Sequence, residues 1–517
     1  MSVLSPVATE RAPMMHVSLI VEALRAHPRL MFWVAALAQA AVWTLVPALF
    51  YAAPPGDVPL VLAVGREWLA GSPYGPPLAY WLAEIAFAFA GGHIVGVYLL
   101  SQLCVVVTYW AVFALGRRIV GTAHAAMAVL LMVGISIFTV PTIEFGPSVL
   151  AMPLTALSLL FAYRAIADGS RVDWLALGVA LGALVLTTYA GLALLALIIL
   201  TIALSARARR RLAAVGPWMA ALIVALINFP HLIWLERSGA DPLSMIAALP
   251  ATILAEQRPV AGLEFLVWLI VSHAGLVVLL LVAGGLFAGA RADAPVFARP
   301  PVDSFARRFV YVFALVPALV AMLLAMLSGR TPSIGTAAPL VVLSGLAIVV
   351  VAGDAIRLYR QRTGAFVWLG LLLVPPAAVV LATVTLPFTA AVDLDVSKPA
   401  NDMGQFFTDT FRRRIGRPLA FVAGDVRTAG LVAMTSPDRP HLFIDGSLER
   451  APWIAEEAVR RNGAIVLWTA IDAAGTPPAA LTAAFPDMVP EVPRSFARSI
   501  QGRLPLLRIG WAVIRPK

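Results

Sequence analysis

Apolar runs of about twenty residues, each long enough to cross the hydrocarbon core of a bilayer as a helix, recur from Leu30 to Phe388 and then stop. Inside lipid a backbone must satisfy its own polar groups, so runs of this length commit most of the chain to spanning helices. Hydrophobic residues make up 61% of the sequence and charged ones only 13%, a balance that excludes a soluble fold. The pattern predicts an α-helical polytopic membrane protein with about 11–13 transmembrane helices. After Phe388 the register changes. Short β-rich runs (PLAFVAGD, HLFIDG, GAIVLWTA, IGWAVI) alternate with amphipathic stretches around Phe406 to Ile415, Ile454 to Arg461 and Leu481 to Phe485, which predicts a small C-terminal α/β soluble domain.

The expected division is a cytoplasmic lead over 1–29, a membrane domain over 30–388 with an amphipathic first outer loop at 53–92, and the α/β domain over 389–517. The first 27 residues lack the apolar core and cleavage site of a signal peptide. The net charge of +10 sits mostly in arginine clusters between spans: Arg117/Arg118, Arg164/Arg171, Arg207 to Arg211, the segment from Arg291 to Arg308, and Arg357/Arg360/Arg362. Alternate connections carry only Arg66, Arg237, Arg258 and Arg330. By the positive-inside rule the first set is cytoplasmic, which puts Asp57 and the C-terminal domain on the other side, the periplasm of a bacterial inner membrane. The charge is thus topological; it points to membrane lipids as partners and not to nucleic acid. Cys104, the one cysteine, lies within an apolar run, so there is neither a disulfide framework nor a thiol metal site.

The stretch PPGDVPLVLAVGREWLAGSPYGPPLAYWL, Pro54 to Leu82, is too polar to span. Val58, Val61, Leu62, Val64, Trp68 and Leu69 nevertheless recur at helical spacing behind Asp57, which predicts a helix lying on the membrane surface and presenting an acid there. Asp57 equally fits a helix N-cap, and the two roles are compatible. A second acid, Glu144, stands in the short outer loop PTIEFGPS, where a solvated loop residue is the plainer reading. Arg66/Glu67 reads as a local pair, and Arg330 as a cation that snorkels or meets a phosphate. Tyr80-Trp81 reads by default as an interfacial anchor. His93, His231 and His273 lack metal-ligand spacing and read better as interfacial histidines. No GxGxxG, P-loop or fixed-period repeat is present.

Asp57, then Pro76-Pro77 and Tyr80-Trp81 at the matching spacing, resemble the first outer loop of the GT-C glycosyltransferases of the glycosyltransferase 39 type, the group related to protein O-mannosyltransferases and lipid A aminoarabinose transferases. The segment EFGPSVLAMPLTALSLLFAYRAI resembles that family's second acidic loop and following span, and Thr187-Thr188-Tyr189 falls at its hairpin turn. A soluble α/β tail after the last span also fits.

The resemblance implies a GT-C-like bundle that transfers a sugar from a polyprenyl-phosphate-linked donor to a lipid, glycan or protein acceptor, with inversion. It implies Asp57 as general base and Glu144 as a second catalytic acid. Arg66, Tyr74, Tyr80, Trp81, Thr188, Tyr189, His231, Arg258 and Arg330 become the candidates for substrate binding. No metal ligands are implied, and the use of a divalent cation is left open. Three positions depart from the family pattern: Val58 follows Asp57 where many relatives have Glu, Gly75 stands where a basic or amide residue is common, and Thr188 replaces a Lys. Either Arg330, Arg258 or Arg66 supplies the missing charge, or the donor is handled differently, or catalysis is lost. The rival readings are a transporter or flippase of a lipid-linked substrate and a non-catalytic envelope-assembly protein.

Overall fold

The computed structural model describes residues 19–240, 258–284, 295–329, 334–472 and 474–517. Among them six helices are long and apolar enough to cross a membrane: Pro28–Phe50, Val95–Ile119, Pro147–Asp168, Val215–Ser238, Ser304–Ser328 and Gln361–Thr389. Three bent pairs raise the number to nine if each is one span, and Leu78–Phe89 is a shorter apolar helix.

One bent pair interrupts the apolar run from Ala123 to Val140. Thr122–Met132 is followed, across an 83° bend, by Ser136–Ile143. The second pair, Val260–Ser272 with Ala274–Ala283, bends by 44°. The two breaks meet: the amide of Leu276 donates to the carbonyl of Gly134 at 3.0 Å. A helix can break at membrane depth only where its freed backbone groups find partners, and here each break serves the other. Gln39 adds a further tie, donating to the Phe138 carbonyl at 2.6 Å while accepting from the Tyr109 hydroxyl at 3.1 Å. Elsewhere the bundle closes on small residues. Gly178 on Arg171–Val185 faces Ala220 on Val215–Ser238 so closely that a Cβ would meet backbone, and Asn228 donates to the Gly182 carbonyl at 3.1 Å.

A short antiparallel pair, β1 (Val296–Ala298) with β2 (Ala355–Arg357), closes the connections between spans. After Thr389 the chain builds a five-stranded sheet from β3 (Phe421–Gly424), β4 (His441–Ile444), β5 (Ala464–Thr469), β6 (Arg494–Phe496) and β7 (Leu507–Ile514), in the order β4-β3-β5-β7-β6. β4, β3 and β5 run parallel, as the alternation of β-rich and helical stretches predicts; β7 and β6 are antiparallel. β3 and most of β5 are buried, which is why both read as continuous apolar runs.

The segment that carries Asp57 lies between these two parts. Val58–Arg66 is a helix, as expected, but it does not lie on a lipid surface. Gly65 packs on the backbone of Tyr80 in Leu78–Phe89, while Pro59 meets Gly430 in the helix Ala429–Thr435 of the α/β unit. Both sides are covered by protein, so Val58, Val61, Leu62 and Val64 are buried in the chain's own core. Trp68 leaves the expected stripe: the backbone turns left-handed there (φ 51°) and the indole is 55% exposed. The stripe was the signature of a seam between two parts of the fold.

Candidate active site

Asp57 occupies the N-cap position of Val58–Arg66, yet its side chain makes no capping hydrogen bond. The carboxylate, which is exposed, is therefore not consumed by the helix start. Gly56, immediately before it, has φ 58°, a conformation glycine adopts without strain. Against Gly56 lies the carboxylate of Glu144, which follows the 3-10 turn Val140–Ile143. The two acids come from loops almost ninety residues apart and meet at one point. The Glu144 carboxyl is pushed above the usual carboxylate range, first by burial, then by the charge of Asp57; Arg427 opposes the shift and Asp395 adds to it.

Arg427 and Asp395 belong to the α/β unit. Arg427 Nη1 donates to Asp395 Oδ2 at 2.9 Å, and Lys398 Nζ lies 2.7 Å from Asp395 Oδ1. The turn Asp395–Ser397 is fixed to the C-terminal end of the first long helix, because the amides of Ala52 and Ala53 both donate to the Val396 carbonyl at 2.9 and 3.1 Å. The site thus holds two loop carboxylates from the bundle and a cation pair from the α/β unit, bridged by a third carboxylate.

The expected aromatic residues gather beside it. Tyr80 is within electrostatic reach of Asp57 and Tyr189, and its hydroxyl donates to the Tyr74 carbonyl at 2.9 Å. Trp81 Nε1 donates to the Leu69 carbonyl at 3.0 Å. His231 Nδ1 lies 2.8 Å from the Ala70 carbonyl, an acceptor, so this nitrogen carries the proton and Nε2 accepts from the Tyr189 hydroxyl at 3.0 Å. Burial pushes the Tyr189 phenol up to about 12, which keeps it a donor. The ring of His231 stacks on Trp234, which in turn packs on Gly71. Tyr74 donates to the Arg450 carbonyl at 3.1 Å and meets Trp453 edge-on. These contacts staple the loop from Leu69 to Pro77, and the polar tips of Tyr74, Tyr80 and Trp81 are used within the protein. Thr188 Oγ1 accepts from Ala190 N at 3.3 Å, a local turn contact.

Arg66 does not join Asp57; it lies at the other end of its helix. Burial lowers its pKa first and the neighbouring Arg439 adds to this, while Glu67 and Glu84 oppose. Arg439 reaches both carboxylate oxygens of Glu84 at 2.7 Å and covers the Phe87 ring at 4.5 Å, and His441 Nδ1 sits 2.7 Å from Glu67. These contacts lock the α/β unit to the bundle. Beside them a cavity of about 750 Å³ opens between the two parts, lined among others by Tyr51, His93, Asn401, Asp402, Arg439 and Arg498. Arg330 lies outside the described residues, as does the side chain of Arg258. Among the described residues no group of three or more His, Cys, Asp or Glu side chains is arranged to hold a metal ion.

Sequence reasoning missed Arg427, Asp395, Lys398 and Arg439. A signal existed for Arg427. It follows the buried strand β3 in the run FVAGDVR, and the carboxyl ends of parallel strands are where α/β sheets place polar sites.

The chain is a multi-pass helical membrane protein with a polar site at the joint between its bundle and a C-terminal α/β unit. A family model described as dolichyl-phosphate-mannose-protein mannosyltransferase matches residues 74–234, a segment that begins after Asp57 and takes in Glu144, Tyr189 and His231. The chain is similar in structure to ArnT from Cupriavidus metallidurans bound to undecaprenyl phosphate, with a TM-score of 0.60 and 14% identity over 94% of this chain and 97% of that one. It also matches the oligosaccharyltransferase of Archaeoglobus fulgidus, at 15% identity over 92% of this chain and 75% of that one, but the TM-score of 0.47 is too low to support an argument. A search of curated protein sequences finds no match.

Proposed function

We infer that the protein is a membrane glycosyltransferase that moves a sugar from a polyprenyl-phosphate carrier to an acceptor on the periplasmic side of a bacterial inner membrane, where the α/β unit also lies. The observation that carries this reading is the meeting of Asp57 and Glu144 at the seam of the bundle and the α/β unit, with Arg427 acting on Glu144 across it. The family model and the likeness in fold to ArnT bound to undecaprenyl phosphate support the same class of donor.

The chemistry follows from the charges. Asp57 takes the proton from an acceptor hydroxyl or amine as that atom attacks the anomeric carbon. The new bond forms on one face of the sugar while the bond to the carrier phosphate breaks on the other, so the configuration inverts. The phosphate leaves with the electron pair and needs cations or hydrogen-bond donors more than it needs an acid. Glu144 places a second negative charge beside the base, where it opposes the positive charge that develops on the sugar ring. Tyr189, His231, Tyr80 and Trp81 hold the loop that walls the site. A transporter would hide its ionisable groups at mid-span, whereas these acids stand in loops at the bundle's end.

The test is release of polyprenyl phosphate from a lipid-linked sugar by the purified protein, with Asp57→Asn as the comparison. Undiminished transfer by Asp57→Asn removes the base assignment. Lipid movement across vesicles with no covalent transfer would favour the flippase.

A further inference from the structure

We propose that Arg427 is the cation that receives the donor's phosphate, and that Asp395 occupies its guanidinium until the donor arrives. The inference rests on the glycosyltransferase reading and adds what that reading lacks, a partner for the leaving phosphate. The family-like positions that would carry one hold Gly75 and Thr188 instead. Arg66 stands at the far end of its helix, within electrostatic reach of Arg439 and Glu84.

Arg427 has the right placement and the right freedom. It is paired with Asp395, whose turn is tied through Val396 to Ala52 and Ala53 just before Asp57, and its charge acts on Glu144. Its side chain is 67% exposed, and among the described residues Asp395 is its one hydrogen-bonding partner, held through Nη1 alone. A guanidinium has five N–H donors in a planar fork suited to two oxygens of a phosphate, so a single carboxylate contact leaves most of that capacity unused. Asp395, by contrast, is anchored without Arg427. Its other oxygen meets Lys398, whose side chain is only 11% exposed, and its turn is tied to Ala52 and Ala53 through Val396. When Arg427 leaves, Lys398 still neutralises Asp395. The rotation of one exposed side chain therefore moves a positive charge from an internal carboxylate to a phosphate oxygen and strands no buried charge. Any phosphate monoester or diester on a membrane-embedded carrier presents the required oxygens; the sugar plays no part in this contact.

The two partners of the ion pair should behave oppositely. Binding of undecaprenyl phosphate to the full-length protein in lipid nanodiscs is measured for the unsubstituted protein, Arg427→Gln and Asp395→Asn, with melting temperatures taken without ligand. Arg427→Gln should weaken binding about tenfold or more. Asp395→Asn, which releases the guanidinium while leaving Lys398 an amide oxygen, should bind equally or up to about threefold more tightly, because a larger fraction of the protein is ready for phosphate. Binding by Arg427→Gln within twofold of the unsubstituted protein overturns the proposal, as does a loss in Asp395→Asn equal to that in Arg427→Gln, which would make the pair a structural clamp. An unsubstituted protein that binds no undecaprenyl phosphate overturns this proposal and the broader reading together. Binding that ignores Arg427 while transfer proceeds overturns this one alone.

Discussion

The carboxylate of Glu144 lies directly against the α-carbon of Gly56, and Gly56 precedes Asp57. One missing side chain thus sets the separation of the two candidate acids. Gly56→Ala brings two penalties. An L-residue at φ 58° costs about 1–2 kcal/mol, and the new methyl forces the Glu144 carboxylate away. Loss of transfer should exceed what that destabilisation explains. Steady-state rates beside melting temperatures check this, and a variant that melts lower but turns over normally would separate Glu144 from the chemistry.

Asp57→Asn tests the base directly. Transfer should fall by about 10²- to 10⁴-fold. Since Asp57 makes no capping bond, stability should change by less than about 0.5 kcal/mol. A large drop in melting temperature would show that the carboxylate serves the fold.

Glu144 carries a pH signature. Its pKa is raised in the folded protein, so over the interval between its unfolded and folded values the native state binds more protons, and stability falls as pH rises through that interval. Glu144→Gln abolishes the titration. Its melting temperature should match that of the unsubstituted protein below about pH 4, the unfolded range of a Glu, and exceed it increasingly toward neutrality. Part of the side chain reaches solvent, so the gain should stay under about 1 kcal/mol. A gap that is constant with pH would show that the charge of Glu144 is not the cause.

Arg439→Ala unlocks the joint between the two parts. It leaves the Glu84 carboxylate, only 14% exposed, without its bidentate partner and should cost about 2–3 kcal/mol. Limited proteolysis should cut earlier between Thr389 and Ala400. With Glu84→Ala the double substitution should recover part of the loss, and strict additivity would deny the coupling.

Much of this molecule can be read from its residues. The long helices and the α/β tail follow from apolar run length and from the switch to short β-rich runs, because both signals are local. Asp57 stood out singly, since an acid beside an amphipathic stretch has few structural uses, whereas Glu144 read more plainly as a solvated loop residue and joined it only through the family resemblance. Their meeting was not legible, because the bend after Met132 that brings Glu144 to Gly56 packs against a second broken helix, interrupted at His273, far along the chain. The stripe of Val58, Val61 and Leu62 was visible but its partner was not: an apolar helix face reads the same whether it meets lipid or protein. Arg427 and Lys398 stood in a tail whose docking no local pattern reports.

Ala52 and Ala53, a few residues before Asp57, give both their amides to the single carbonyl of Val396. Backbone is thus fastened to backbone, and no flexible side chain separates the α/β unit from the peptide leading to the proposed base. If that unit tilts on the bundle, the peptide before Asp57 must travel with it, and the spacing between proposed base and proposed cation changes in the same stroke. The joint would then act as a tiller, because a contact that tilts the α/β unit also moves the proposed base against the proposed cation.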